Sequence, residues 1–185
     1  MRVLNLGCGH AKRDFPEASR ASEIVGVDHS PASQADVIHD LDRFPYPLES
    51  SSFDLILLQD VIEHLDDIPS VMAEVHRVAR PGAVVRIRTP HFSSWYAYND
   101  PTHRHYLGVF ALDGFDAAQP NALYATARFE RVRRRILFPR LWRMTGMAAL
   151  ANRFPARWEQ LFAFIVRAEN LEFELRAAKE PPASP

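Results

Sequence analysis

The chain has 185 residues, 47% of them hydrophobic, 11% aromatic and 24% charged, with 22 basic against 23 acidic side chains. This supports one domain with its own core and excludes a disordered chain; the lone cysteine, Cys8, excludes a disulfide scaffold and suits a reducing, cytoplasmic compartment. No apolar run approaches the roughly 18 residues needed to span a bilayer, and Met1 to Leu6 is too short for a signal peptide.

The net charge of −1 conceals an asymmetry. Residues 1–125 carry ten basic and seventeen acidic side chains, whereas 126–157 carry nine arginines against Glu130 alone. An acidic body thus joins an arginine-rich segment suited to solvent, anionic lipid, nucleic acid or an acidic partner.

Strands come first in chain order. Arg2–Leu6 is apolar and stops at Gly7-Cys8-Gly9, and strands are also predicted over 23–28 and 35–40, each ending in an aspartate. Two more follow at 53–58 and 83–89, the second after the breaker Arg80-Pro81-Gly82. Near-continuous apolar strands with polar ends suit a buried parallel sheet whose C-terminal edge carries function. Between these two strands, Val71, Met72, Val75 and Val78 recur at helical spacing, which predicts a helix over 69–79 with Pro69 in its first turn.

The earlier crossovers are thin. Residues 30–34 leave no room for a helix, and 10–22 lack an apolar stripe, so helices in the first half are reduced and one sheet face is short of cover. Residues 101–112 read as a loop or lid. A strand is expected over 129–138 and a last one over 170–177. The segment 140–167 between them is helical in character and broken at Phe154-Pro155. Its apolar side chains are expected to cap the bare sheet face; an anionic membrane surface or a second subunit is the other use for them. The whole reads as a single domain over 1–179, with a helical insertion at about 140–167 and an unstructured tail at 180–185.

The chemistry gathers at strand ends. A strand running into Gly7-Cys8-Gly9 lets a ligand approach the backbone, because glycine has no Cβ. Lys12 occupies the third glycine position of the dinucleotide pattern, which is therefore unmet. Asp28, some twenty residues on, can accept both hydroxyls of a ribose, and Asp40 at the next strand end can face an adenine amino group. Three successive strand ends of this kind predict an adenosine-type site.

The runs LNLGCG, VGVDHSP, HDLDRFPYPLESSSFDLILLQDVIEHLDD and EVHRVARPGAVVRIRTP, over residues 1–90, resemble the class I S-adenosylmethionine-dependent methyltransferases, in the group of small-molecule and quinone methylases. The resemblance implies an α/β fold: a doubly wound, mostly parallel Rossmann-like sheet with a terminal antiparallel strand pair. It implies S-adenosylmethionine across the strand ends, with S-adenosylhomocysteine as product. Carried over by position, Gly7, Cys8 and Gly9 would line the methionine part, Asp28 would hold the ribose and His29 would lie beside the adenosine, with Asn5 also among the cofactor-binding residues. Asp40 and Leu41 would reach the adenine, and Gln59 and Asp60 would face the sulfonium and acceptor.

Methyl transfer is in-line displacement, so positioning supplies much of the catalysis and a base is needed only when the acceptor must lose a proton. Asp60, His64 and His91 are the expected catalytic residues. Asp60, Glu63 and His64 share a face if Asp60 opens a helix, although such an acid often only caps one. In some quinone-type methyltransferases the corresponding residues hold a metal, and His91, His103 and His105 also have metal-like composition. No metal is expected here, because a clear tetrahedral set is missing. Trp95, Tyr96, Tyr98 and Tyr106 are expected to wall the acceptor pocket, and Cys8 is a small loop residue rather than a nucleophile. The expected acceptor is a small, lipophilic molecule; peripheral membrane contact and a homodimer are the partner expectations. Nucleic acid is disfavoured, because Gln59-Asp60-Val61-Ile62 replaces the base-methylation motif. A non-catalytic protein that binds S-adenosylmethionine is the alternative.

Overall fold

The computed structural model describes residues 1–119 and 127–179; Thr126, which opens the arginine-rich segment, and the tail 180–185 lie outside the described residues. Among the described residues, seven strands form one sheet: β1 (Arg2–Leu6), β2 (Glu23–Asp28), β3 (Val37–Ile38), β4 (Phe53–Gln59), β5 (Ala79–Pro90), β6 (Phe129–Ile136) and β7 (Asn170–Ala177). Their order is β3-β2-β1-β4-β5-β7-β6. The first five are parallel, and β7 runs antiparallel to both β5 and β6. Order reverses between β1 and β4, the position where α/β sheets open a crevice at their C-terminal edge.

β3 is shorter than the expected 35–40. The Asp36 carboxylate accepts the Gly26 N–H at 2.7 Å and Lys12 Nζ at 2.5 Å, so a side chain replaces part of the strand ladder. The helix α1 (Ile68–Val78) begins one residue before its predicted start; Asp67 caps it by accepting the Ser70 N–H at 3.2 Å. Val71, Met72, Val75 and Val78 are fully buried on one sheet face, with Leu4, Leu6, Ile56, Leu58, Val85 and Ile87.

The short helix α2 (Tyr96–Asn99) follows β5, and the inserted segment forms α3 (Arg140–Met144), α4 (Met147–Arg153) and α5 (Pro155–Leu161). The break at Phe154-Pro155 stands where the sequence puts it, and a second break falls at Gly146, with φ +79°. These helices do not cap the bare sheet face. Ala151 and Trp158 join the core that contains α1, beside Ile136 and Phe138, and Asn152 clamps the Ile136 N–H and carbonyl at 2.8 and 2.9 Å. Among the described residues, the apolar cluster on the opposite face is small, with Phe15, Ala18 and Ala21 beside Val3, Ile24, Leu55, Leu57 and Val84.

Two causes explain that correction. The register shift between Arg131 and Arg133 lets Phe129 and Ile136 both face the α1 side, so the chain leaving β6 starts there. On the far side, the β5 and β7 positions are charged: Arg86 bridges Glu17 at 2.6 Å and Glu174 at 3.0 Å. Such a surface meets water without an apolar lid. Leu141, Met144, Leu150, Leu161, Phe164 and Ile165 are consequently exposed rather than buried.

Candidate functional site

Two cavities open along the C-terminal edge of the parallel strands. The first, about 830 Å³, is lined by Gly7, Asp28, His29, Asp40, Leu41, Asp60, Val61, His64, Leu65 and neighbours from the 40–43 and 102–104 turns. The second, about 790 Å³, is lined by Asp60, Glu63, His64, Arg88, Tyr96, Asn99, Asp100, His103, Glu169 and Asn170, with two prolines. Asp60 and His64 belong to both.

The first cavity is shaped by the turn after β1. Gly7 and Gly9 have φ +65° and +46°, a region open to glycine at little cost. The N–H groups of Gly7 and Cys8 donate to the Val27 carbonyl, while Gly9 N–H donates to Asp28 Oδ2 at 2.9 Å. Buried Asn5 donates to the Lys12 carbonyl at 3.1 Å and thereby ties the turn to its far end. Burial pushes the Cys8 thiol up, so it stays protonated and inert. A Cβ on Gly7 would sit 2.3 Å from Val61 Cγ2. Gly7→Ala is therefore expected to cost about 1–3 kcal/mol through overpacking, lowering Tm by roughly 2–4 °C per kcal/mol at this chain length, as a thermal melt will show.

The donor set suits an adenosyl group. Asp28 Oδ1 accepts Ser30 N–H at 2.8 Å, so backbone bonds hold each carboxylate oxygen while leaving each a further lone pair toward the cavity. Leu41, Val61 and Leu65 offer apolar walls, and Asp40 is an acceptor at the rim, its carboxylate kept below the usual range chiefly by the Asp42 N–H. Of the expected cofactor residues, Gly7, Asp28, His29, Asp40 and Leu41 line this cavity. Asn5, Cys8 and Gly9 build the turn behind it. Gln59 stands apart: it follows Leu55 and Leu57 on the opposite face and lines a smaller recess with Phe15, Arg86 and Arg88.

In the second cavity, Asp60 has φ +54° and pairs with the Arg88 guanidinium instead of capping a helix. A short 3₁₀ turn at Ile62–His64 follows. The Thr102 hydroxyl donates to Asp100 Oδ1 at 2.6 Å, so its remaining bond with His64 Nδ1, at 2.9 Å, must be accepted from that ring. His64 therefore carries its proton on Nδ1 and keeps a lone pair on Nε2. Burial and the neighbouring His103 hold its pKa below the ordinary 6.5.

Glu63 lies beneath. Its Oε2 accepts the Thr89 hydroxyl at 2.9 Å, and its Oε1 lies 3.9 Å from His103 Nε2 with no hydrogen-bond partner among the described residues. Burial pushes this carboxyl up. Because His103 Nδ1 donates to the Ala97 carbonyl at 2.9 Å, Nε2 is again the lone pair. Glu63, His64 and His103 bring one potential ligand atom each within 4.8 Å of one another, a set that a shared proton or a cation could bridge.

His91 is elsewhere. It is fully buried, with Nδ1 on the Ser93 hydroxyl at 2.8 Å and Nε2 on Glu159 at 3.1 Å, and it lines neither cavity. Both of its ring nitrogens are thus engaged within the protein. His105 turns to the Leu65 carbonyl, so His91, His103 and His105 are not assembled into one set. Of the four aromatics, Tyr96 lines the cavity, Tyr98 stacks on Tyr106 with centroids 4.8 Å apart, and Trp95 is exposed. Thr102 and Glu159 escaped sequence reasoning altogether. The only signal for Thr102 was its position two residues after Asp100, the spacing of a local side-chain turn.

A family profile described as "Methyltransferase domain" matches residues 4–87. A probable S-adenosylmethionine-dependent methyltransferase from Mycolicibacterium smegmatis is 31% identical over 139 residues, covering 69% of this chain and 51% of that protein. A ubiquinone biosynthesis O-methyltransferase from Hahella chejuensis is 34% identical over 96 residues, 44% of this chain and 40% of that one. The chain thus spans about half the length of the curated relatives it matches. A solved S-adenosylmethionine-dependent methyltransferase from Archaeoglobus fulgidus superposes with a TM-score of 0.65 at 18% identity, over 95% of this chain and 85% of that one.

Proposed function

Because the chain belongs to the class I S-adenosylmethionine-dependent methyltransferases, we propose that it transfers a methyl group from that cofactor to a small molecule held in the second cavity. The supporting observation is the shared wall: Asp60 and His64 line both cavities, so a donor in one and an acceptor in the other would meet at these two side chains.

When bound, S-adenosylmethionine supplies a methyl group activated by a sulfonium. The chain's own residues do the rest. Asp28 accepts the ribose hydroxyls, while Asp40 and Leu41 bound the adenine. Arg88 holds Asp60 at the boundary, where its carboxylate favours positive charge. His64 takes the acceptor's proton on Nε2, with Thr102 and Asp100 fixing the ring and stabilising the imidazolium that forms. Similarity to a ubiquinone O-methyltransferase supports a hydroxyl acceptor on a small molecule.

The test is turnover. With S-adenosylmethionine and a panel of hydroxylated small aromatics, S-adenosylhomocysteine should accumulate in proportion to enzyme. Cofactor binding without product from any acceptor would overturn the reading in favour of a non-catalytic binding protein.

A further inference from the structure

We propose that the outer surface of α3, α4, α5 and the turn after them docks on an anionic phospholipid bilayer. Met144 is 75% exposed, Leu161 66%, Phe164 67% and Ile165 71%. These are large apolar side chains on the helices and on the turn after α5, and the other side of this segment is already committed: Ala151, Trp158, Ala163 and Val166 face the core. A helical unit apolar on both sides needs a second apolar environment.

Charge selects the occupant. Residues 139–167 contain five arginines, at 140, 143, 153, 157 and 167, and one acid, Glu159. That acid is turned inward, bonded to His91 and to the Val109 N–H at 2.7 Å. Among the described residues, Arg140, Arg143 and Arg157 have no carboxylate partner. Two copies of this face would set like charges against each other with no outward acid to pair them. A bilayer bearing negative headgroups satisfies both features, because apolar tips enter the acyl boundary while guanidinium groups stay at the phosphates. Aromatic side chains suit an interface too: the Phe92 and Phe164 ring centroids are 5.6 Å apart, and exposed Trp95 and Tyr96 follow Phe92 by three and four residues.

Docking there has a consequence for the second cavity. Glu169 and Asn170, four and five residues past Ile165, line it, as does Tyr96. A docked molecule would hold the cavity beside the lipid, so the acceptor class is one that partitions into membranes. This last step rests on the proposed methyl transfer; the docking itself does not.

Co-sedimentation with vesicles separates the cases. Wild-type protein should bind phosphatidylcholine vesicles containing phosphatidylglycerol, at least about tenfold more strongly than phosphatidylcholine alone, with binding that weakens as salt rises. Leu161→Asp with Ile165→Asp should lower binding about tenfold or more while leaving Tm and the thermal shift by S-adenosylhomocysteine unchanged. Arg140→Glu with Arg143→Glu should erase the preference for the anionic vesicles. Absence of vesicle binding, or equal binding by the Asp variant, would overturn the proposal. A large fall in that variant's Tm would make the face core. A dimer in sedimentation equilibrium that the variant converts to monomer would assign the face to a second copy. Loss of turnover with docking intact would instead strike only the methyl-transfer reading.

Discussion

Asp28→Ala is expected to abolish the rise in Tm that S-adenosylhomocysteine gives the wild type. A ligand that binds only the folded chain stabilises it by mass action, so the shift reports affinity directly. Hydrogen bonds to a charged group contribute about 1.5–3 kcal/mol each, and loss of two from a vicinal diol corresponds to roughly 10²–10⁴ in Kd at about 1.4 kcal/mol per tenfold. The apo variant should also melt somewhat lower, because the N–H groups of Gly9 and Ser30 lose their acceptor. Calorimetric titration separates the two effects, since it reads affinity at a temperature where both proteins are folded. A full thermal shift in the variant would show that the ribose is held elsewhere.

The second large effect concerns proton transfer. His64→Ala should lower kcat by about 10²–10⁴, the usual contribution of a positioned base, while the shift by S-adenosylhomocysteine persists. Only neutral imidazole can accept a proton, and burial disfavours imidazolium at His64. The acid limb of kcat/KM should therefore lie below pH 6.5, with activity rising through that limb and level above it. Thr102→Val keeps the side-chain shape but leaves Nδ1–H without its acceptor. It should reduce kcat more than it changes KM and move the acid limb, a response that a purely structural role would not give. Exhaustive chelation without loss of activity would favour a proton over a cation among Glu63, His64 and His103. His91→Ala should lower Tm more than turnover, because its ring is a buried link between Ser93 and Glu159. Unchanged turnover and pH profile in His64→Ala would remove it as the base.

Sequence alone determined the parallel half of the sheet and gathered most of the side chains that line the first cavity. The reason is locality. Apolar runs, the glycine turn after β1 and the acids closing β2 and the turn after β3 are each written within a few residues, and parallel strands bring those ends to one edge. Gln59 was also legible in principle: it shares parity with Leu55 and Leu57, and successive strand side chains alternate between faces. The tertiary structure alone decided the chemistry of the second cavity and the placement of the insertion. His64 meets Thr102 across 38 residues and His91 meets Glu159 across 68, contacts set by loop paths that no short-range period encodes. The insertion's apolar residues were plain in the sequence, but composition does not say which side of a helix finds a partner. That followed from the direction in which Ile136 leaves β6, and from a far sheet face already satisfied by its own ion pairs.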